Sequence, residues 1–350
     1  THGSLQEING QWYVFYHRPP RGFGFARQAM VAPVKIEWDQ KKVADGGIVT
    51  ITGYDPYASD EKWTVTASNG DSYNGAEVTS EGFQIYGLDP YKYYDAGYAC
   101  YLSNIGSMQD TWDIWNPNMK VNMNGGDIVG FKYFGFGGLD KPMKGLQPFE
   151  GTKPGNGTEF YVSLTPQAPW PVKVNVMLDG PYANDTWNGK KIGEIMVPAG
   201  SPREQMWFKV DVSDAVDNLD GKHAVYLVAE GAQGRPAFSL NGVGFGKKDE
   251  ILSVSSAPKV EIYVNGVAIN LPEHPTRSND INGYTGYDRY DVPIRLSTDK
   301  APEVTAAVIS NTDDVKVEID QPGSATDKAT VRVDYKGKVK TYTLIPSKNI

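Results

Sequence analysis

The chain has 350 residues, 38 of them Gly and 23 Pro, so about one position in six is a residue that interrupts or ends regular structure. That density excludes a mostly helical protein, and 40% hydrophobic with 12% aromatic residues excludes a disordered one. A formal net charge of −8, from 34 basic and 42 acidic residues, argues against nucleic acid as a partner, because phosphate contacts need clustered Lys and Arg. No apolar run approaches the ~20 residues of a membrane-spanning helix.

At ~100–200 residues per domain the length accommodates two or three domains, each able to bury a core. Cys100 is the sole cysteine, which rules out an intrachain disulfide or a thiolate metal cluster. Its neighbours Tyr98, Ala99, Tyr101 and Leu102 mark it as a small buried residue. The opening THGSLQEING has no basic segment followed by an apolar core, and Thr1 is not Met. The expectation is a processed product or a fragment cut inside a domain.

Taken in chain order, the pattern is one of period-two segments and tight turns. Leu5 to Tyr16 reads as a hairpin about Asn9-Gly10, a pair that tolerates the positive φ of a type I′ turn. The same turn is expected at Asn241-Gly242 and at Asn265-Gly266. Val315–Ile319, Val331–Tyr335 and Val339–Leu344 alternate apolar and polar residues, as half-buried antiparallel strands do, the last two joined around Lys336-Gly337-Lys338. Helical spacing is not sustained anywhere, and Val212 to Leu219 gives at most one short turn of helix. The chain is therefore expected to be all-β.

Composition divides it. All eight Trp lie before residue 250, whereas residues 256–350 use Val, Ile and Tyr and contain no Trp or Phe. The intervening KKDEILSVSSAP suits an exposed connector. A softer boundary lies between residues 100 and 120, giving expected domains of 1–105, 106–250 and 256–350. Gly-rich GFGFAR (22–27), GFGG (135–138) and GVGFGKK (242–248) lack the phosphate-loop spacing and open no helix, so they read as turns and strand edges.

Residues 1–40 carry a His2-Gly3-Ser4 turn, the hairpin INGQWYVFYHR and a strand beginning RQAM. This run resembles the last blade of the five-bladed β-propeller of glycoside hydrolase family 43, and the resemblance extends loosely through EVTSEGF and YDAGYACYL. Such enzymes hydrolyse arabinofuranosyl or xylosyl linkages of hemicellulose with inversion, using carboxylates spaced to admit a water. In the family those acids come from earlier blades, so no catalytic acid is assigned in this chain. Asp110 and Asp113, and Asp313 and Asp314, read instead as solvated loop carboxylates or strand caps. A nucleophile–base pair of Ser4 with His2 lacks an orienting acid, and a turn hydroxyl is the simpler reading.

The resemblance further implies that His2 faces the propeller channel and helps hold a cation, often calcium, through waters. A lone imidazole is a poor calcium ligand, so His2 is expected to bind nothing tightly without the other blades; an exposed turn histidine is the alternative. Arg18 is expected at the same channel, touching substrate or paired with an acid. An isolated blade would expose Trp12, Val14, Tyr16 and Met30 unless residues 41–100 cover it.

Residues 120–248 supply eight or nine short strands, as a two-sheet jelly roll requires. The motifs GGDIVGF, IGEIMVP, WFKVDV, GKHAVYL and FSLNGVGF resemble, in order, a family 6-like carbohydrate-binding module. Its cleft pairs two aromatics with an Asn, and here the Asn position holds Ser239, with no aromatic just before Met206-Trp207. Trp207, beside Phe208, Val210 and Val212, is expected in the core. Trp187 and Tyr182, in the polar loop DGPYANDTWNGK, are the better sugar-stacking candidates, followed by Trp112 and Trp115; covering a sheet edge is the alternative for a loop Trp. His223 reads as structural.

Residues 256–350 resemble a small immunoglobulin-like β-sandwich, with the loop INGYTGYDRYD (281–291) as its candidate surface. Together the resemblances imply the C-terminal portion of a secreted bacterial glycoside hydrolase, extracellular or at the cell surface. The expected partner is arabinoxylan, xylan or arabinan, and the possible cofactor calcium. A non-catalytic carbohydrate-binding or adhesion protein is the alternative.

Overall fold

The computed structural model describes residues 3–8, 10–18, 28–37, 50–53, 63–66, 72–75, 81–82, 87–104, 108–110, 113–115, 118–137, 154–155, 157–184, 187–248, 257–272, 275–276, 288–309 and 314–347. The chain divides into two compact units, Thr1–Gln109 with Met119–Leu252, and Asp110–Asn118 with Ser253–Ile350.

In the first unit, β1 (Gly3–Ile8), β2 (Gln11–Arg18), β3 (Gln28–Glu37) and β4 (Thr50–Gly53) form an antiparallel meander in that order. β5 (Trp63–Thr66) and β6 (Ser72–Gly75) make a separate hairpin, and β7 (Glu81–Gly82) pairs with β3. At the β1–β2 turn Gly10 takes a φ of 81° and Ile8 stands opposite Gln11, as a tight turn there requires; Asn9 lies outside the described residues. Among the described side chains of this blade-like sheet, most of β1 is exposed, Trp12, Val14 and Tyr16 are half-buried, and Met30, Val31, Ala32 and Val34 are buried. The far edge of β3 is paired by β4 and β7, both drawn from residues 41–100.

The rest of this unit is a jelly roll. Its strands are β8 (Tyr94–Asp95), β9 (Tyr101–Leu102), β10 (Met108–Asp110), β11 (Met119–Asn124), β12 (Ile128–Gly135), β13 (Thr158–Pro166), β14 (Val172–Leu178), β15 (Lys190–Val197), β16 (Met206–Asp211), β17 (Lys222–Glu230) and β18 (Pro236–Lys247). One sheet runs β10-β11-β18-β13-β16, with β8 also on β18; the other runs β15-β14-β17-β12-β9. From β11 to β14 the chain passes from one sheet to the other at every step, so each sheet's inward residues meet the other's. Phe131, Phe134, Phe136, Phe160, Phe238 and Phe245 are fully buried between them, and Phe245 meets Phe160, Phe134 and Phe136 at 4.9, 5.3 and 5.3 Å. The short helix Ser213–Val216 lies within the stretch expected to give one turn.

The turn expected at Asn241-Gly242 is not there: both residues lie inside β18. Opposite them, Ser163 pairs with Gly242 and the next residue, Leu164, with Leu240, so Asn241 is the extra residue of a β-bulge. An Asn-Gly pair suits a bulge as well as a turn, and only the partner strand distinguishes them.

The second unit contains β19 (Val260–Val264), β20 (Val267–Ala268), β21 (Arg289–Arg295), β22 (Val304–Val308), β23 (Val315–Asp320), β24 (Ala329–Tyr335) and β25 (Lys338–Ser347). Sheets β20-β19-β22 and β21-β25-β24-β23 enclose a core of Ile262, Val264, Val292, Ile294, Val304, Val331, Val333 and Leu344. The β19–β20 and β24–β25 turns hold Asn265-Gly266 and Lys336-Gly337 at positive φ. Residues 110–118, which the boundary at 106 would leave with the jelly roll, group with this sandwich because Trp115 packs on its core.

Candidate functional site

β16 presents Phe208 and Val210 to the jelly-roll core and Trp207, Lys209 and Asp211 to its outside. The expectation that Trp207 is core is therefore corrected: it alternates out of phase with its apolar neighbours and is 40% exposed. Its ring lies 5.3 Å from that of Tyr93, at 56°. Tyr93 lies against the outer face of β18 at Gly242, where a Cβ would stand 2.4 Å from the Tyr93 ring. Burial raises the Tyr93 phenol to about 12, against a hydrogen bond with Ser163 that acts the other way, so it stays protonated at neutral pH.

Polar groups continue this face. Gln205 Nε2 donates to Ser163 Oγ at 2.7 Å, and Asn241 Nδ2 to Thr165 Oγ1 at 3.1 Å. Ser239 Oγ donates to Asn122 Oδ1 at 2.6 Å. The amide that residue 239 lacks is thus provided by β11, one strand over. Trp207, Ser163 and Gly242 lie in register across β16, β13 and β18, a span of roughly 10 Å at the usual strand spacing. The sequence signal for this surface was the alternation in MWFKVD, with Trp207 on the polar phase.

Trp187 and Tyr182 lie on the loop between β14 and β15. Gly180 and Gly189 close its neck, since a Cβ on Gly189 would stand 2.1 Å from Gly180 O. Gly189 N donates to Tyr182 O at 2.8 Å and Trp187 N to Asn184 Oδ1 at 2.9 Å. Trp187 is half-buried, its ring edge-on to Tyr101 at 6.0 Å, and Tyr101 in turn meets Tyr226 at 5.9 Å. Tyr182 is 42% exposed. At the loop's base, His223 Nδ1 bonds Asp179 Oδ2 at 2.9 Å and Nε2 bonds Asp220 O at 3.0 Å. Burial lowers the imidazole pKa, but the Asp179 carboxylate and the Asp220 carbonyl outweigh it, and the result is raised above 6.5. These two aromatics belong to the sheet opposite the one that carries Trp207.

Trp115 lies elsewhere again, packed on the C-terminal sandwich with Lys340 Nζ 3.9 Å above its ring. Asp113 Oδ1 accepts from the Trp115 amide at 2.8 Å across a turn and also pairs with the buried Lys340 ammonium at 2.8 Å, so it is neither the solvated loop carboxylate nor the strand cap expected from the sequence. His2 and Trp112 lie outside the described residues, as do 281–287 of the tyrosine-rich loop; Arg18 ends β2 opposite Gln28. Tyr290, the loop's described tyrosine, is a core residue. Among the described residues no group of three or more His, Cys, Asp or Glu side chains could hold a metal ion. No described helix is long and apolar enough to cross a membrane.

No protein-family model matches the chain. A curated protein described as a xylosidase/arabinosidase, from Thermoclostridium stercorarium, is 25% identical over 252 residues. The match covers 66% of this chain and 40% of that protein, so the chain spans less than half the length of the relative. Among solved structures, a glycoside hydrolase family 43 arabinoxylan arabinofuranohydrolase from Bacillus subtilis is 16% identical, covering 70% of this chain and 54% of that one, at a TM-score of 0.34. A β-1,3-glucan-binding family 6 module from Bacillus halodurans is 17% identical, covering 45% and 98%, at a TM-score of 0.32. The glycoside hydrolase resemblance carried by the motifs of residues 1–40 is borne out by the curated relative.

Proposed function

We propose that this chain is the polysaccharide-contacting part of a secreted, hemicellulose-degrading glycoside hydrolase of the arabinofuranosidase/xylosidase class. The observation that carries the reading is the exposed Trp207 ring beside Tyr93, flanked on the same sheet face by the hydroxyls and amides of Ser163, Gln205, Ser239, Asn122, Asn241 and Thr165, with the Lys209–Glu159 ion pair next along β16. A sugar ring offers a C–H face that stacks on an aromatic and a rim of hydroxyls that exchange hydrogen bonds with Ser, Thr, Asn and Gln. The xylosidase/arabinosidase relative supports xylan, arabinoxylan or arabinan as the polymer. In this reading the described residues contribute recognition, and inverting hydrolysis belongs to carboxylates of the whole enzyme. A polymeric substrate of that size supports a location outside the cell or on its surface.

Affinity electrophoresis through gels containing arabinoxylan, xylan or arabinan tests the proposal. Wild-type chain is expected to be retarded by at least one polymer, and Trp207→Ala to be retarded markedly less in the same gel. Unretarded wild type in all three would overturn the reading.

A further inference from the structure

Lys340 is buried in the C-terminal unit, 6% exposed, on a strand whose neighbours Lys336 and Lys338 are open to solvent. A buried ammonium needs an anion, because desolvation costs several kcal/mol if the charge is left alone. That anion comes from a segment more than 200 residues away: Asp113 Oδ1 lies 2.8 Å from Lys340 Nζ and also accepts from Trp115 N at 2.8 Å. Trp115 completes the enclosure. Its ring lies under Lys340 Nζ at 3.9 Å, its Nε1 donates to Lys338 O at 2.9 Å, and its edge meets Tyr335 at 6.3 Å. Tyr290 lies 5.6 Å from the same ammonium. Charge, stacking and a directional indole hydrogen bond thus read three features of one short peptide.

We infer that Asp113-Ile114-Trp115 is a peptide ligand carried within the chain, and that the Lys340, Tyr335 and Tyr290 face of the sandwich is a recognition site for an acidic–aromatic Asp-x-Trp segment. The occupant is the chain's own segment, and the C-terminal unit depends on it. Residues 253–350 excised alone would leave Lys340 without its acid and the aromatic face uncovered.

Reductive methylation of the full chain, read lysine by lysine by mass spectrometry, tests this. In wild type Lys340 is expected to label about tenfold or more slowly than Lys336 and Lys338, as for a group reached only by local opening. Asp113→Asn, which keeps the shape and removes the charge, and Trp115→Ala are each expected to bring Lys340 toward the rate of its neighbours. A synthetic peptide of residues 108–120 should restore protection in Trp115→Ala, and the same peptide with Ala at both positions should not. Wild-type protection should be unchanged on dilution. Lys340 equally protected in both variants, no effect of the peptide, or protection lost on dilution would each overturn the inference. Should Trp115→Ala fail to fold, Asp113→Asn and the dilution series still decide it.

Discussion

The Tyr93 and Trp207 rings stand 5.3 Å apart on one outer face of the jelly roll, and their neighbour Gly242 has no room for a side chain beneath Tyr93. The pair exists because β8 lies against β18 where β18 carries glycine.

Gly242→Ala is therefore expected to displace Tyr93 and cost about 1–3 kcal/mol, since the added methyl would meet ring atoms and the Tyr94 carbonyl at 2.4 Å. A urea melt gives the stability, and arabinoxylan retardation should fall with it. A fully stable variant with wild-type retention would show that Tyr93 does not depend on this approach.

Substitutions on the two faces of the jelly roll separate the candidate surfaces. Trp207→Ala should weaken polysaccharide binding about tenfold, with a stability cost of about 1–2 kcal/mol because the ring is 40% exposed and otherwise packs against Tyr93. Tyr182→Ala should leave both properties near wild type, and Trp187→Ala should lose ~1 kcal/mol from its contact with Tyr101 while keeping retention. Loss of retention in Trp187→Ala, with Trp207→Ala unaffected, would move the binding surface to the loop.

His223 gives a pH dependence of definite sign. Its folded-state pKa is raised above 6.5, so its ion pair with Asp179 stabilises the loop base below that value and is lost as pH rises through the folded pKa. An NMR titration should place His223 above 6.5, and amide exchange in residues 179–189 should quicken as it deprotonates. His223→Gln should abolish that dependence; exchange that still tracked the same pH window would assign it to another group.

Phe245→Ala should cost about 3–5 kcal/mol, as a fully buried ring touching Phe134, Phe136 and Phe160 is replaced by a cavity. The chemical denaturation midpoint of the jelly-roll transition measures it. A loss below ~1 kcal/mol would mean that the three remaining rings can close the gap.

Local chemistry determined much of this protein. Alternation in Val331–Tyr335 and Val339–Leu344, and the positive φ that Asn9-Gly10 and Asn265-Gly266 permit, fixed strands and turns because both depend only on neighbours along the chain. The motif resemblance supplied the glycosidase reading on the same local basis. What the sequence could not supply was which residues meet. Asn241-Gly242 has the composition of a turn, but β13 pairs on both sides of it and makes it a bulge. Trp207 has apolar neighbours, but its phase against the opposite sheet turns it outward, beside a tyrosine brought by β8. Trp115, a candidate for sugar stacking, is held instead by a lysine far along the chain. Each outcome depends on pairing between distant strands, and pairing decides which side of a residue faces solvent.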